Sequence, residues 1–209
     1  VGPLPPSTKL IVTLPGQTFT SGSGNTGTPT AQTAGVPFTL TLTAVNDSLV
    51  TDTGYSGTKT ISYSGPGGSH DYTTEGTFTD GQGNASTTLK KAETTTITTA
   101  AADHTGVASS SLTVNPAAFT RLQVLAPGET AAPGTGTGKT GTPGNQNVNT
   151  AFSVTVNAVD ANWNLVTTAP GDNIHVTTSD PADAEPADNT LSGGTRAFSL
   201  TPATAGTLT

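Results

Sequence analysis

Asp160, Asn162 and Asn164 (DANWN) alternate as in the opening of a calcium loop, where side-chain oxygens at every second position converge on one ion. The loop's glycine and its distal bidentate Glu are missing, and the earlier counterpart offers Asn46 and Asp47 at a different spacing. Asp and Asn are also what a tight strand-to-strand turn uses, because their side chains bond their own backbone two residues on. The turn is the favoured reading, and calcium is the one cofactor the residues suggest. Trp163, the only Trp, sits inside this stretch. Its expected role is packing at the end of the fold; exposed, it would stack on a sugar ring and be the one ligand contact.

Other chemistry is thinner. Gly134–Thr140 (GTGTGKT) looks like a phosphate-binding loop, but the first glycine of that motif is replaced by Pro133. A helix must follow to face the phosphates, and Gly141-Thr142-Pro143-Gly144 cannot supply one, so a surface loop is expected. His70, Asp71 and Glu75 form an acidic–basic cluster on paper. His70 and Asp71 are adjacent, however, so in a strand they leave on opposite faces. His104 and His175 show no partner in the sequence, and no His recurs at its place in the other half of the chain. No catalytic residues are assigned and no enzyme is expected.

Composition narrows the classes. The chain has 209 residues and a net charge of −7, with 7 Lys and Arg in no cluster, so the positive field a nucleic-acid partner requires is missing. No apolar run approaches the length of a membrane span. Cysteine and methionine are both absent, which removes disulfides and thiolate metal sites and suits an exposed extracellular life. Charged residues are 10%, against about 25% in an average domain, and Thr takes their place. A β-branched side chain with a hydroxyl tolerates extended backbone and keeps a strand face wet.

The elements that must carry these residues follow from period two. In Ala151–Val166 (AFSVTVNAVDANWNLV), Phe152, Val154, Val156 and Ala158 alternate with Ser153, Thr155 and Asn157, the pattern of a strand with one buried and one wet face. Phe38, Leu40, Leu42 and Ala44 write the same sentence 114 residues earlier. Lys9–Leu14 and Arg121–Ala126 each end in Pro-Gly and are followed by a long Gly/Thr segment containing Thr-Gly-Thr-Pro. That segment is either a set of short strand pairs along the fold or a flexible tongue. Further strands are predicted over Lys59–Ser64, Asp71–Thr79, Ala85–Lys90, Thr94–Ala101 and Val107–Asn115, about seven per module and no helix. The reading is all-β: two tandem antiparallel β-sandwiches, with residues 1–7 a lead-in ending a preceding repeat, 8–115 the first module and 116–209 the second. Thr207–Thr209 aligns with Thr96–Thr98, so the second module lacks its last strand within these residues. A longer array is expected, joined here through the Pro-containing, semi-rigid link Asn115–Ala118.

Ala151–Val166, Thr178-Ser179-Asp180-Pro181, Thr204–Thr209, Ala34–Val45 and Gly54–Thr58 resemble the immunoglobulin-like repeats of large bacterial surface and secreted proteins, including invasin/intimin-type bacterial Ig-like domains. The long Gly/Thr insert departs from that pattern. The resemblance implies Ig-like sandwiches, no shared catalytic residues, and a structural segment of a bacterial cell-surface stalk or extracellular filament. Alternatives are an adhesin module for carbohydrate or protein, or an accessory region of a secreted enzyme. Expected partners are neighbouring repeats or identical chains, including strand complementation at the open edge of the second module. The expected location is extracellular, on the bacterial surface.

Overall fold

The structure is a computed structural model that describes residues 6–209; β-strands are its only regular elements, and no helix occurs among the described residues. The chain divides into two compact units, Val1–Asn115 and Pro116–Thr209.

The first unit is a β-sandwich. One sheet runs, side by side, Thr105–Val107, Lys9–Thr13, Phe38–Val45, Gln82–Leu89, Glu75–Thr79 and Gly57–Thr60, with His70–Tyr72 also paired to Gln82–Leu89. Thr105–Val107 lies parallel to Lys9–Thr13, and the other neighbours are antiparallel. The facing layer consists of Leu112–Asn115 between Thr94–Thr95 and Gln32–Thr33, and of Ser62–Ser64 paired with Thr98–Ala100. Leu10, Val12, Leu40, Leu42 and Phe78 of the first layer close on Ile97, Leu112 and Val114 of the second. The alternating apolar residues of Phe38–Val45 point into this core as their spacing requires. The other face is not simply wet: Ile11 and Thr43, opposite each other across the pair, are buried as well.

The strands are shorter than the alternation suggests. Lys59–Ser64 and Val107–Asn115 are each two strands in different layers, and the chain crosses between layers at their breaks. Thr94–Ala101 breaks into Thr94–Thr95 and Thr98–Ala100 within one layer, and Asp71–Thr79 into His70–Tyr72 and Glu75–Thr79 within the other. Ile61 marks one crossing: it turns into the core and its N–H donates to the Thr74 carbonyl. A Cβ on Gly76 would stand 2.5 Å from Ile61 Cδ1, so glycine makes room for it. Period two looks alike on either layer, and a crossing leaves no trace in it.

Both Gly/Thr segments are hairpins, Thr18–Thr20 with Gly24–Thr26 and Glu129–Ala131 with Lys139–Gly141. Each is held to the first strand of its own unit. Asn25 donates to the Val12 carbonyl and accepts from Thr13 Oγ1; Gln123 Nε2 donates to the Gly138 carbonyl.

The second unit is built on Arg121–Leu125, Phe152–Val159 and Thr195–Leu200, with a small pair Asn173–Ile174 and Asn189–Thr190. Val154, Val156, Phe198 and Leu200 pack against Ile174, with Phe152, Val176 and Leu191 at the margin. Its central bonds match those of the first unit. Ala44 and Ala158 donate to the carbonyls of Gly81 and Gly194, and Asp52 and Val166 donate back to Ala44 and Ala158. Asn46 and Asp160 donate to the carbonyls of Val50 and Asn164. Within these two turns the left-handed residues are Leu49 (φ 60°) and Trp163 (φ 67°), again 114 positions apart.

Candidate functional site

Asp160 closes the long strand Phe152–Val159 and is fully buried. Its Oδ1 accepts from the N–H groups of Asn162 (2.8 Å) and Asn164 (2.9 Å). Its Oδ2 accepts from Ala117 N and Asn164 Nδ2, both at 2.9 Å. Four N–H donors therefore converge on the carboxylate, where a cation site would need oxygens. This is the side chain-to-backbone turn that Asp favours. Asn46 does the same with Oδ1 alone, accepting from Ser48 and Val50.

The turn thrusts Trp163 outward with a left-handed backbone, an unfavourable state for so bulky a residue. Trp163 is half-buried. The Arg121 guanidinium stands 4.4 Å from its ring centroid, and Gly138 (φ 75°) comes so close that a Cβ there would meet Trp163 Cδ2 at 2.2 Å. Contact with the hairpin thus holds the strained turn.

Gly134–Thr140 forms the end of that hairpin. Ala132 N donates to the Gly138 carbonyl, Thr135 Oγ1 donates to Ala132 O, and Gly138 N donates to Thr135 Oγ1. Lys139 Nζ pairs with Glu129 at 2.7 Å across the strands. That lysine and the Ala126 N–H hold the Glu129 carboxyl below its usual range. The loop's groups bond within the hairpin and to Gln123 and Asn162 beside it.

A polar cluster that sequence spacing does not show lies in the first unit. Ser7 Oγ donates to Asp52 Oδ2 at 2.6 Å and stands 2.7 Å from His104 Nε2. His104 Nδ1 is 3.0 Å from Asp103 Oδ1, but off the line of an N–H bond, so no hydrogen bond joins them. Tyr55 OH donates to Asp103. Its ring lies 4.2 Å from the His104 ring and 4.9 Å from that of Phe78, with Lys59 Nζ 4.5 Å above it. The order Ser–His–Asp invites comparison with a nucleophilic triad, in which His takes the Ser proton. Here that proton points at Asp52, so His104 Nε2 must be the donor to Ser7. The directions are reversed, and the cluster clasps three segments: the approach to the first strand, the loop at Asp52, and the turn Ala101–His104. Its electrostatics follow. The Ser7 hydroxyl, with the Gly54 N–H, holds the Asp52 carboxyl below its usual range. His104 beside Asp103 does the same there, while burial and Asp103 push the Tyr55 phenol up. Ser7 and His104 are 97 residues apart in sequence, and no motif joins them.

The remaining candidates disperse. His70 and Asp71 part as adjacent strand residues do. His70 packs on Tyr72 at 4.4 Å, Asp71 pairs with Lys90 at 3.0 Å, and Glu75 is exposed at the start of its strand. Tyr72 is stacked on Tyr63 (4.0 Å, 3° between planes), and burial pushes both phenols up to about 12. His175 is exposed; Asp188 at 2.7 Å raises its pKa, with Glu185 3.7 Å away. Asp180 caps the last segment, accepting from Thr204 (2.8 Å), Ala203 (2.9 Å) and Ala182 (3.1 Å) N–H groups, which hold its carboxyl below the usual range. No cluster of three or more His, Cys, Asp or Glu suited to a metal occurs among the described residues.

Comparison with known families found no model that matches, and comparison with curated proteins found no match. Among solved structures, the chain is similar to FdeC, an Escherichia coli adhesin, at 17% identity and a TM-score of 0.43, covering 97% of this chain and 58% of that one. It is also similar to the Yersinia pseudotuberculosis adhesin InvE, at 18% identity and a TM-score of 0.37, covering 83% and 49%. Domains 4–9 of the surface layer protein SbsC give 16% identity and a TM-score of 0.31, covering 94% and 27%. The chain thus spans about half the length of the adhesin structures it matches. Those names describe those proteins.

Proposed function

We propose that the chain is a structural, non-catalytic repeat segment of a bacterial cell-surface stalk or extracellular filament, its two units being copies of one module. The observation that carries this reading is the recurrence of one hydrogen-bonded frame, from Ala44–Asp52 to Ala158–Val166, in units whose chemistry-bearing side chains are bonded to one another. What recurs is scaffold, and the side chains on it differ: Ser7 and Asp52 of the first unit correspond to Phe119 and Val166 of the second. Threonine-rich, charge-poor strands without Cys or Met suit an oxidising exterior, and the bacterial setting follows the sequence resemblance. The adhesin alternative would need Trp163 as a platform, and Arg121 and Gly138 already pack on it.

The test is antibody labelling of the native source. Antibodies against this chain should label intact cells or shed filaments. Labelling that appears only after permeabilisation refutes the reading.

A further inference from the structure

We propose that Tyr63 and Tyr72 form an oxidative cross-linking site, joined ring to ring as a dityrosine when a one-electron oxidant of the peroxidase type, supplied with hydrogen peroxide, acts on the first unit. The inference stands on that unit alone and is independent of the role proposed above.

Strands of two different layers supply the pair. Tyr63 is the middle residue of Ser62–Ser64, in the facing layer, and Tyr72 ends His70–Tyr72, in the larger sheet. The rings lie face to face, with centroids 4.0 Å apart and planes 3° from parallel. The unit's other aromatic pairs meet at angles of 45° to 76°. Both side chains are half-buried at the margin of the core, with one side packed and the other open to solvent.

Stacking is the arrangement that radical coupling requires. The unpaired electron of a phenoxyl radical occupies an orbital perpendicular to the ring, with density on the oxygen and on the carbons ortho and para to it. Two such radicals therefore bond through their faces. No ring carbon is far from its own centroid, so the ortho carbons of the two rings are near one another from the start. A preset approach replaces a chance encounter. Tyr63 Oη donates to the Thr73 carbonyl at 2.7 Å, whereas Tyr72 Oη is buried without a hydrogen-bond partner. The chain has no Cys or Met to consume the oxidant first. Tyr55, the third tyrosine, is 6% exposed and packs on Phe78 and His104.

The step balances. Each phenol gives up its O–H hydrogen as an electron and a proton, and the two electrons and two protons reduce one hydrogen peroxide to two waters. The radicals form one C–C bond between ortho carbons. Each of those carbons then passes its hydrogen, as a proton, to its own ring's oxygen, which restores both phenols. The product ties the two layers together across nine positions of sequence. It restricts the unfolded chain in the way a disulfide does, in a protein that has no cysteine.

The experiment treats the full chain, at low concentration, with a haem peroxidase and limiting hydrogen peroxide. Dityrosine fluorescence should appear in the monomer, with the intact mass lower by two hydrogens. Cleavage before aspartate should then leave residues 52–70 joined to 71–79, because Asp71 falls between the two tyrosines. Tyr72→Phe, which removes a hydroxyl that bonds nothing and so leaves the fold intact, should form no link. Tyr55→Phe should form it as the parent does. Compared at equal tyrosine loss, unfolding in urea should lower the ratio of intrachain link to interchain dimer by about tenfold or more, because the stack is gone. Absence of the joined peptides overturns the proposal, and so does their loss in Tyr55→Phe. A ratio unchanged in urea does the same, since the pair would then be no more than two tyrosines close in sequence.

Discussion

Replacing Gly138 by Ala tests whether the hairpin holds the strained turn at Trp163. Two costs add. At φ 75° a Cβ is disfavoured by about 1 kcal/mol relative to glycine. The new methyl would also lie 2.2 Å from Trp163 Cδ2 and 2.3 Å from Cγ, the stem of a rigid ring stacked by Arg121, so it cannot be evaded by a flexible side-chain tip. Overpacking of that kind costs about 1–3 kcal/mol. A stiffer unfolded chain returns about 0.4–1 kcal/mol. The net loss is about 1–3.5 kcal/mol, or roughly 5–25 °C in the midpoint of a unit of this size. Two controls calibrate it. Gly136, with nothing within 4 Å and no left-handed backbone, should change by less than about 0.5 kcal/mol when made Ala. Gly24→Ala, facing only the flexible Leu49 Cδ1 at 3.2 Å, should cost about 1 kcal/mol. Calorimetry, with Trp163 fluorescence reporting the second unit, gives the midpoints. In a Trp163→Leu background, which copies Leu49, the Gly138→Ala cost should fall to about 1 kcal/mol. If Gly138→Ala melts with Gly136→Ala, or is as costly without the Trp, the reasoning is wrong.

Asp160→Asn replaces an oxygen that accepts from Ala117 and Asn164 by an amide donor, and should cost about 1–3 kcal/mol by urea denaturation, with millimolar calcium shifting neither protein's midpoint. Leu10→Ala should destabilise the first unit by about 2–5 kcal/mol. Leu122→Ala should cost the second less than about 1 kcal/mol, because the leucine is already 43% exposed; equal losses in calorimetry would contradict the open edge. Asp52 and Asp180 have folded pKa values below their unfolded ones. Their contribution is therefore complete above the unfolded value of about 4 and is lost as pH falls through the folded values. Acid titration of Asp52→Asn with Asp180→Asn should show a shallower fall below about pH 4 than the parent. For His175 the sign reverses: its pair with Asp188 stabilises below about pH 6.5 and is lost as pH rises through the raised folded value. NMR titration should place that pKa above the value in Asp188→Asn, with the gap closing in high salt.

The strands around Phe38–Val45 and Phe152–Val159 were legible because alternation states a buried face directly, and the constant offset announced a shared frame. The crossings were not legible: Ile61 reads as one more residue of a strand, and only the packing of Gly76 beneath it shows that the chain changes layer there. Turn chemistry at Asn46 and Asp160 was readable from residue type, since the same Asx geometry serves both. That Trp163 would carry a left-handed backbone and lean on Gly138 was not, because the strain and the contact that sustains it lie some 25 residues apart. The cluster at Ser7 and His104 was hidden for the same reason. Its members meet only because Lys9–Thr13 and Thr105–Val107 lie side by side, a parallel pairing that local patterns do not encode.

That pairing has a further consequence. Lys9 lies opposite Thr105, so this ladder joins positions 96 residues apart in the chain. Such a contact closes a long loop before it returns any stabilisation, and non-local pairing of this kind slows folding. The edge at Thr105–Val107 therefore forms late, after local pairs such as Glu75–Thr79 with Gln82–Leu89.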